Sequence, residues 1–468
     1  MSEQLTIDNV REQMVGVDAR VPLLDGSLRT CINFDNASTT PVLKPVLDKV
    51  NEFMDWYASV GRGAGFKSNL CTEVLEEVRG FIYEFVDASP EHYTIIFGKN
   101  TTEAINKLAH RFPFSPGDIA LSSKMEHHSN DLPWRAVAEV QYIGVDERGA
   151  LDLDHLAHLL KKNSGKVRLV SVTGASNVTG FINPIYEIAE MVHSVGAKLC
   201  VDAAQLVLHR KVTMGNVKDV RHIDYLAFCG HKMYAPFGVG VLVGLKESFL
   251  RGSPDSVGGG TVDLVTPDRV LWANLPAKEE AGTPNVVGAV ALAKAILCLQ
   301  EIGLDKVAYH EARLTSYLLE RLVNIDRITV YGDDDPDRSI TRLGVVPIEI
   351  EGVPHQLVSA ILGMEGGIAV RNGLFCAHPY ALHLLKASAV EVNTLASALK
   401  KGIRSQLPGL TRISFGMYNI KSEIDVLVDL LERICQGRYQ GQYVQDPFTG
   451  CFVAERFPLK PQEYFALR

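Results

Sequence analysis

A lysine stands between two apolar runs in Phe228-Cys229-Gly230-His231-Lys232-Met233-Tyr234, with residues 225–228 before it and 239–243 after it. An isolated ammonium between buried strands is costly, so such a lysine either pairs with an acid or gives up its charge. A neutral amine can attack a carbonyl and hold it as a Schiff base. Taken alone, the run fits a surface lysine in a glycine-bounded loop equally well. The balance moves with residues 197–201, which read as a short buried strand ending in Asp202-Ala203-Ala204-Gln205. Ligands of open α/β sheets collect at the carboxyl ends of strands. An acid at one strand end and a lysine at the next match a pyridoxal phosphate site. There the lysine holds the aldehyde carbon, and the carboxylate keeps the pyridine nitrogen protonated. Asp202 by itself would read as a helix cap.

Other segments supply the remaining parts. Gly98-Lys99-Asn100-Thr101-Thr102-Glu103 lies at a strand-to-helix turn, where outward N–H groups favour a phosphate and Thr101 or Thr102 adds a hydroxyl; it also fits plain capping. His127, in Glu126-His127-His128-Ser129-Asn130, offers a flat face for a cofactor ring and can shuttle a proton. Adjacent histidines without further ligands nearby do not make a metal site. Asn177 can bond a substrate carboxylate or a ring oxygen, or simply mark a turn. Thr283, before a long helical pattern, can cap it or donate to a phosphate, which in a symmetric dimer belongs to the neighbouring subunit. Arg412 sits inside an apolar strand, where a substrate carboxylate or an internal acid is its partner. Cys376 follows a strand end in a glycine-bearing loop, with Arg371 and His378 as candidate neighbours that would favour a reactive thiol.

These residues require an ordered frame. Strands are expected at 93–97, 119–122, 167–173, 199–202, 225–229 and 239–243, with helices from 101 or 102, over 185–195 and over 286–301. The alternation predicts an α/β fold with a mostly parallel, helix-flanked sheet. A second α+β pattern runs over 326–436, with strands near 328–330, 343–350, 368–371 and 412–415. The segment 437–468 is polar, aromatic and proline-bearing, with no assigned role.

The 468 residues predict two or three domains, and 46% apolar with 22% charged residues fit a globular chain. A net charge of −8 argues against a nucleic-acid partner. Met1-Ser2-Glu3-Gln4 lacks the start of a signal peptide, and no stretch has the length and apolarity of a membrane span, so a cytoplasmic location is expected. The eight cysteines form no CxxC pair, which argues against disulfides or zinc; most are expected to be buried small hydrophobes and the seven other than Cys376 to be inert.

The ordered set Thr-Thr-Glu, Glu-His-His, Ser-Asn-Val-x-Gly, Val-Asp-Ala-Ala-Gln, Gly-His-Lys-x-Tyr, Ala-Gly-Thr-Pro-Asn, Ala-Val-Arg-x-Gly-x-x-Cys-Ala and Ser-Phe-Gly-x-Tyr-Asn resembles class V aminotransferase-fold enzymes. It is most similar to group II cysteine desulfurases and selenocysteine lyases, from about Phe34-Asp35-Asn36-Ala37-Ser38 to about Arg433. The resemblance implies a pyridoxal-phosphate-dependent transferase type I fold and a homodimer with shared active sites. The large domain would cover 41–295, the small domain 1–40 with 296–436, and 437–468 would form a tail. It implies Lys232 as the Schiff-base lysine, Asp202 on the ring nitrogen and His127 stacked on the ring, with Gln205 and Asn177 near the cofactor oxygen. Thr101, Thr102, Cys229 and His231 would face phosphate, with Thr283 from the partner. Asn177, Arg371 and Arg412 would face a small amino-acid substrate, and Cys376 would take sulfur as a persulfide for a sulfur-acceptor protein. Three positions depart from the family pattern: Leu374-Phe375 replace a histidine before the cysteine, Cys229 replaces a serine, and Gly61-Arg62-Gly63 lacks a histidine. The apolar pair at 374–375 predicts a dry pocket around the thiol. Alternative readings are an epimerase, C–S lyase or aminotransferase of the same fold with a silent Cys376, or a non-catalytic scaffold.

Overall fold

A computed structural model describes residues 4–61, 63–457 and 460–468. Met1-Ser2-Glu3 and Arg62 lie outside the described residues.

Seven strands form the main sheet: β1 (Tyr93–Gly98), β2 (Ile119–Ser123), β3 (Glu139–Ile143), β4 (Val167–Thr173), β5 (Lys198–Asp202), β6 (Tyr225–Cys229) and β7 (Gly240–Leu245). Their order is β1-β7-β6-β5-β4-β2-β3. Neighbours from β3 through β6 pair in parallel, while β7 is antiparallel to both β6 and β1. The central strands carry continuous Val, Ile, Leu and Ala because helices cover both faces. Helix α1 (Thr101–Arg111) starts at the end of β1, capped by Asn100, whose side chain accepts from the Glu103 amide. Helix α2 is Ile185–His193, and helix α3 is Val286–Ile302. Most residues of α3 are buried, because it packs against the helices Lys44–Met54 and Phe66–Phe85 and against the turn Gly230–Lys232. No single helix among the described residues is long and apolar enough to cross a membrane.

A second, antiparallel sheet contains β8 (Ile328–Val330), β9 (Val345–Ile350), β10 (Arg371–Gly373) and β11 (Leu410–Ser414) in the order β8-β9-β11-β10. The strand expected at 368–371 divides: Ile368–Ala369 pairs in parallel with Ile32–Asn33, and β10 pairs with β11. The chain changes partners at Val370, a switch that an apolar run does not encode. Edge strand β3 was absent from the sequence expectation, since Glu-Val-Gln-Tyr-Ile carries a polar face rather than a buried run. The N-terminal segment divides between two apolar cores: Leu5, Val10 and Met14 pack with the main sheet, and Ile32 and Phe34 with the second. The segment 437–468 contains an antiparallel hairpin, Tyr443–Gln445 with Phe452–Ala454.

A buried charge cluster ties α2 to the start of β6. Asp224, fully buried, meets His193 Nε2 at 2.8 Å, His222 Nε2 at 3.2 Å and Lys198 Nζ at 3.1 Å. The two imidazoles stack with centroids 4.2 Å apart and planes 12° apart. Both rings direct Nε2 at the Asp224 carboxylate and the Lys198 ammonium pairs with it too, so the group reads as an ion-pair cluster. Burial raises the Asp224 carboxyl, but bonds from His193 and His222 outweigh it and hold the group well below the usual carboxylate range. Burial lowers His222, yet its bond to Asp224 raises it overall. The Asp224 contribution is therefore complete above pH ~4, the unfolded value, and fades as pH falls through the lower folded value. The His222 contribution is complete below pH ~6.5 and fades as pH rises through its higher folded value. Asp224→Asn is expected to cost about 3 kcal/mol in urea unfolding at pH 5.5 and less at pH 8.5. Equal losses at both pH values would show that His222 does not carry the charge.

Candidate active site

Burial and strand polarity bring the chemistry to one place. The carboxyl ends of β4, β5 and β6, the start of α1 and the β10–β11 edge enclose a cavity of about 310 Å³. Its walls include Thr101, Thr102, His127, Asn177, Asp202, Gln205, Cys229, His231, Lys232, Arg371, Cys376 and Arg412, twelve of the thirteen residues singled out above. The thirteenth, Thr283, is exposed and lies outside it.

Lys232 ends a single 3-10 turn, Gly230–Lys232, directly after β6. A Cβ on Gly230 would approach Val239 Cγ1 to 2.7 Å and the Ala235 carbonyl to 3.0 Å, so only glycine permits this tight turn. Burial pushes the Lys232 amine below the usual lysine range; Cys229 and Asp202 oppose the shift and Arg412 adds to it. Asp202, at the end of β5, is 4% exposed and accepts the Ala204 amide at 3.0 Å. Burial raises its carboxyl, against that bond and the charge of Lys232. No side-chain ion pair within 4.0 Å satisfies Asp202 among the described residues.

His127 leads off the loop after β2. Its Nδ1 accepts the Ser129 amide at 3.1 Å, which places the ring proton on Nε2. Burial, then Lys232, lowers its pKa to about 3, so the ring is a neutral flat surface at physiological pH. Ser129 Oγ links His127 Nδ1 at 3.0 Å to Thr102 Oγ1 at 2.6 Å. Glu126 is buried beneath, accepting from Ser123 Oγ, the Thr173 amide and Asn130 Nδ2; burial raises its pKa to about 8. On the α1 side, the buried Thr101 Oγ1 makes no hydrogen bond to a nitrogen or oxygen among the described residues, and only the Cys229 thiol stands within reach. Burial raises the Cys229 thiol and, with Lys232, lowers His231 to about 4. Gln205 Nε2 donates to the Ala37 carbonyl at 2.7 Å, which ties the N-terminal segment to the cavity.

Both partners considered for Arg412 deserve comparison. Its Nη2 pairs with Asp35 Oδ1 at 3.1 Å, so an internal acid is present. Its Nη1 donates to the Asn177 carbonyl at 2.8 Å, and the Phe375 ring centroid lies 5.1 Å from its guanidinium carbon. Its buried Nε remains unpartnered, a donor still available to an anion. Arg371 turns to Asp35 Oδ2 at 3.1 Å and Ser38 Oγ at 3.0 Å.

The cysteine loop corrects one expectation. Leu374 and Phe375 turn inward, while Cys376 is exposed, so the thiol stands in an open mouth rather than a dry pocket. His378 packs its ring against His128, centroids 4.4 Å apart, and Arg371 is engaged by Asp35. The loop is pinned from the main sheet: the His128 amide donates to the Cys376 carbonyl at 2.7 Å and Asn177 Nδ2 to the Phe375 carbonyl at 2.8 Å. Phe375 and Cys376 adopt φ of 52° and 54°, a left-handed pair that these bonds hold in place. Most of the cysteines are buried, as expected: five are, while Cys31 is half-buried and Cys451, like Cys376, is exposed. Sequence reasoning missed the roles of Asp35, Ser38 and Ser129. The first two lie far from Arg412 in the chain, and Ser129 was visible only as part of the His127 motif.

The residues fit pyridoxal phosphate. A buried acid without a cationic side-chain partner suits a protonated ring nitrogen, and a buried lysine below its usual range suits an aldehyde. A neutral imidazole suits ring stacking, and an unpartnered threonine hydroxyl at a helix start suits phosphate.

Comparisons with known proteins agree with this geometry. The sequence model of the class-V aminotransferase family matches residues 32–427. The chain is 34% identical to the cysteine desulfurase of Haloferax volcanii over 90% of this chain and 94% of that protein. It is 33% identical to the cysteine desulfurase of Dickeya dadantii over 92% and 97%. Among solved structures, the apo cysteine desulfurase of Thermococcus onnurineus superposes with a TM-score of 0.78 at 30% identity, covering 93% of this chain and all of that one. The Escherichia coli cysteine desulfurase CsdA superposes with a TM-score of 0.74 at 27% identity, covering 93% and 99%. With one continuous match spanning both sheets and every wall of the cavity, the chain belongs to the class-V aminotransferase family.

Proposed function

We propose that this protein is a pyridoxal-phosphate-dependent cysteine desulfurase that converts L-cysteine to L-alanine and carries the sulfur as a persulfide on Cys376. The observation that supports it best is the presence of Cys376 on the same cavity as Lys232, Asp202 and Arg412. Bound pyridoxal phosphate supplies a carbonyl for the substrate amine and an electron sink for its α-carbon. Lys232 would hold the aldehyde carbon and, as a free amine, would move a proton at the substrate α-carbon. Asp202 would hold the ring nitrogen, His127 would cover the ring face, and Gln205 and Asn177 would face the ring oxygen. Thr101, Thr102, Cys229 and His231 would hold the phosphate. Arg412 holds the substrate carboxylate, with Asn177 and Arg371 beside it. The Cys376 thiolate then attacks the substrate sulfur: the new S–S bond forms as the Cβ–S bond breaks, and a proton delivered to carbon completes alanine.

Thr283 is the residue that a second copy of the chain would place at its neighbour's phosphate, and its exposure supports a homodimer. The nearby hairpin Val262–Thr266 with Arg269–Trp272 exposes the pair Leu264 and Leu271 on one face and Val265 and Val270 on the other, apolar surface suited to that copy. A large unit of 41–295, a small unit of 1–40 with 296–436 and a tail of 437–468 belong to the same proposal. The exposed Cys376 supports delivery of sulfur to an acceptor protein, and eight free thiols suit a reducing compartment such as the cytoplasm.

Amino-acid product analysis tests this reading. Holoenzyme with L-cysteine and a thiol reductant is expected to form alanine and sulfide in equal amounts without pyruvate. Pyruvate in place of alanine would assign a β-eliminating lyase instead.

A further inference from the structure

We infer that Ser38 is the positioning residue that sets how Arg412 meets the substrate carboxylate, an inference that rests on the reading of Arg412 given above. Ser38 Oγ donates to Asp35 Oδ1 at 2.5 Å and accepts from Arg412 Nη2 at 2.8 Å and Arg371 Nε at 3.0 Å. A hydroxyl has one proton and two lone pairs, and these three contacts use all of them. Guanidinium groups only donate, so the hydroxyl proton must point at Asp35. Ser38 thereby becomes a fixed acceptor between two like charges whose shared counterion is Asp35, paired with Arg412 at 3.1 Å and with Arg371 at 3.1 Å.

The consequence falls on Arg412. Its Nη2 protons go to Asp35 and Ser38, and one Nη1 proton goes to the Asn177 carbonyl. The Phe375 ring covers one face. Five donors minus three leave two on different edges of the plane, and of these the Nε–H, buried and unpartnered, is the one offered to a carboxylate. The guanidinium plane is thus set before any ligand arrives, which lowers the ordering cost of binding. Without the Ser38 hydroxyl, Nη2 loses an acceptor and Arg371, half exposed to solvent, loses its tie to Arg412. The arginine can then turn about its long axis, and the Nε–H left for substrate is no longer held in one direction. The N-terminal segment reaches this position because Asp35 bridges to Ser414 of β11 and the Ala37 amide donates to Ser414 Oγ at 3.0 Å.

The test compares ligands that differ only in the carboxylate. Dissociation constants of L-alanine and ethylamine are read from the change in cofactor absorbance of the holoenzyme. Ser38→Ala is expected to weaken L-alanine about tenfold and leave ethylamine unchanged. For L-cysteine the same variant is expected to raise KM with a smaller effect on kcat. Ser38→Thr, which keeps the hydroxyl, is expected to restore L-alanine binding. Unchanged L-alanine affinity in Ser38→Ala, or equal weakening of both ligands, overturns the inference. Arg412→Ala is measured in parallel. If it too leaves L-alanine affinity intact, the carboxylate role of Arg412 fails and takes Ser38 with it; if it abolishes the preference while Ser38→Ala does not, Ser38 alone is excluded.

Discussion

Lys232→Ala is expected to lower alanine formation from L-cysteine by at least about ten-thousandfold, because the proposed function gives one side chain both the covalent anchor and the base at the α-carbon. The two roles separate experimentally. Borohydride treatment of the wild-type holoenzyme should fix the cofactor on a peptide containing Lys232, and the variant should yield no such peptide. Pyridoxal phosphate should still bind the variant, since the phosphate end, Asp202 and His127 remain. Burial already holds the amine below its usual range, so its removal relieves a desolvation cost and the thermal midpoint should not fall. A variant that retains activity within tenfold, or cofactor fixed on another lysine, would end the assignment.

Cys376→Ala should lower alanine formation by at least about a thousandfold, the scale of losing a covalent nucleophile. Cofactor absorbance and L-alanine binding should stay at wild-type values, because the thiol lies at the open mouth of the cavity and its loop is held through backbone groups of residues 375 and 376. Wild-type protein after one turnover without reductant should gain the mass of one sulfur on the peptide containing Cys376. Undiminished alanine formation in the variant would remove Cys376 as acceptor and favour a lyase or aminotransferase. Leu374 and Phe375 bear on the same question. Their inward packing lets an apolar pair stand beside the Cys376 thiol without drying it, because the left-handed backbone at 375 and 376 turns the Phe375 and Cys376 side chains apart.

The large sheet and the cofactor end of the site were legible along the chain because their signals are local. Buried parallel strands read as apolar runs, and the residue that follows each run must stand at a strand end. Asp202 after β5, Lys232 after β6 and Thr101–Thr102 after β1 are therefore placed by strand polarity alone. The substrate end was not legible in this way. Arg412 and Asp35 are separated by most of the chain, and only the docking of residues 32–38 against β11 makes them partners. The division at Val370, the inward turn of Phe375 and the three contacts of Ser38 depend on which strand lies next to which, a choice decided by long-range packing and carried by no short motif. Periodicity specifies which face of an element is buried; it does not specify what that face is buried against.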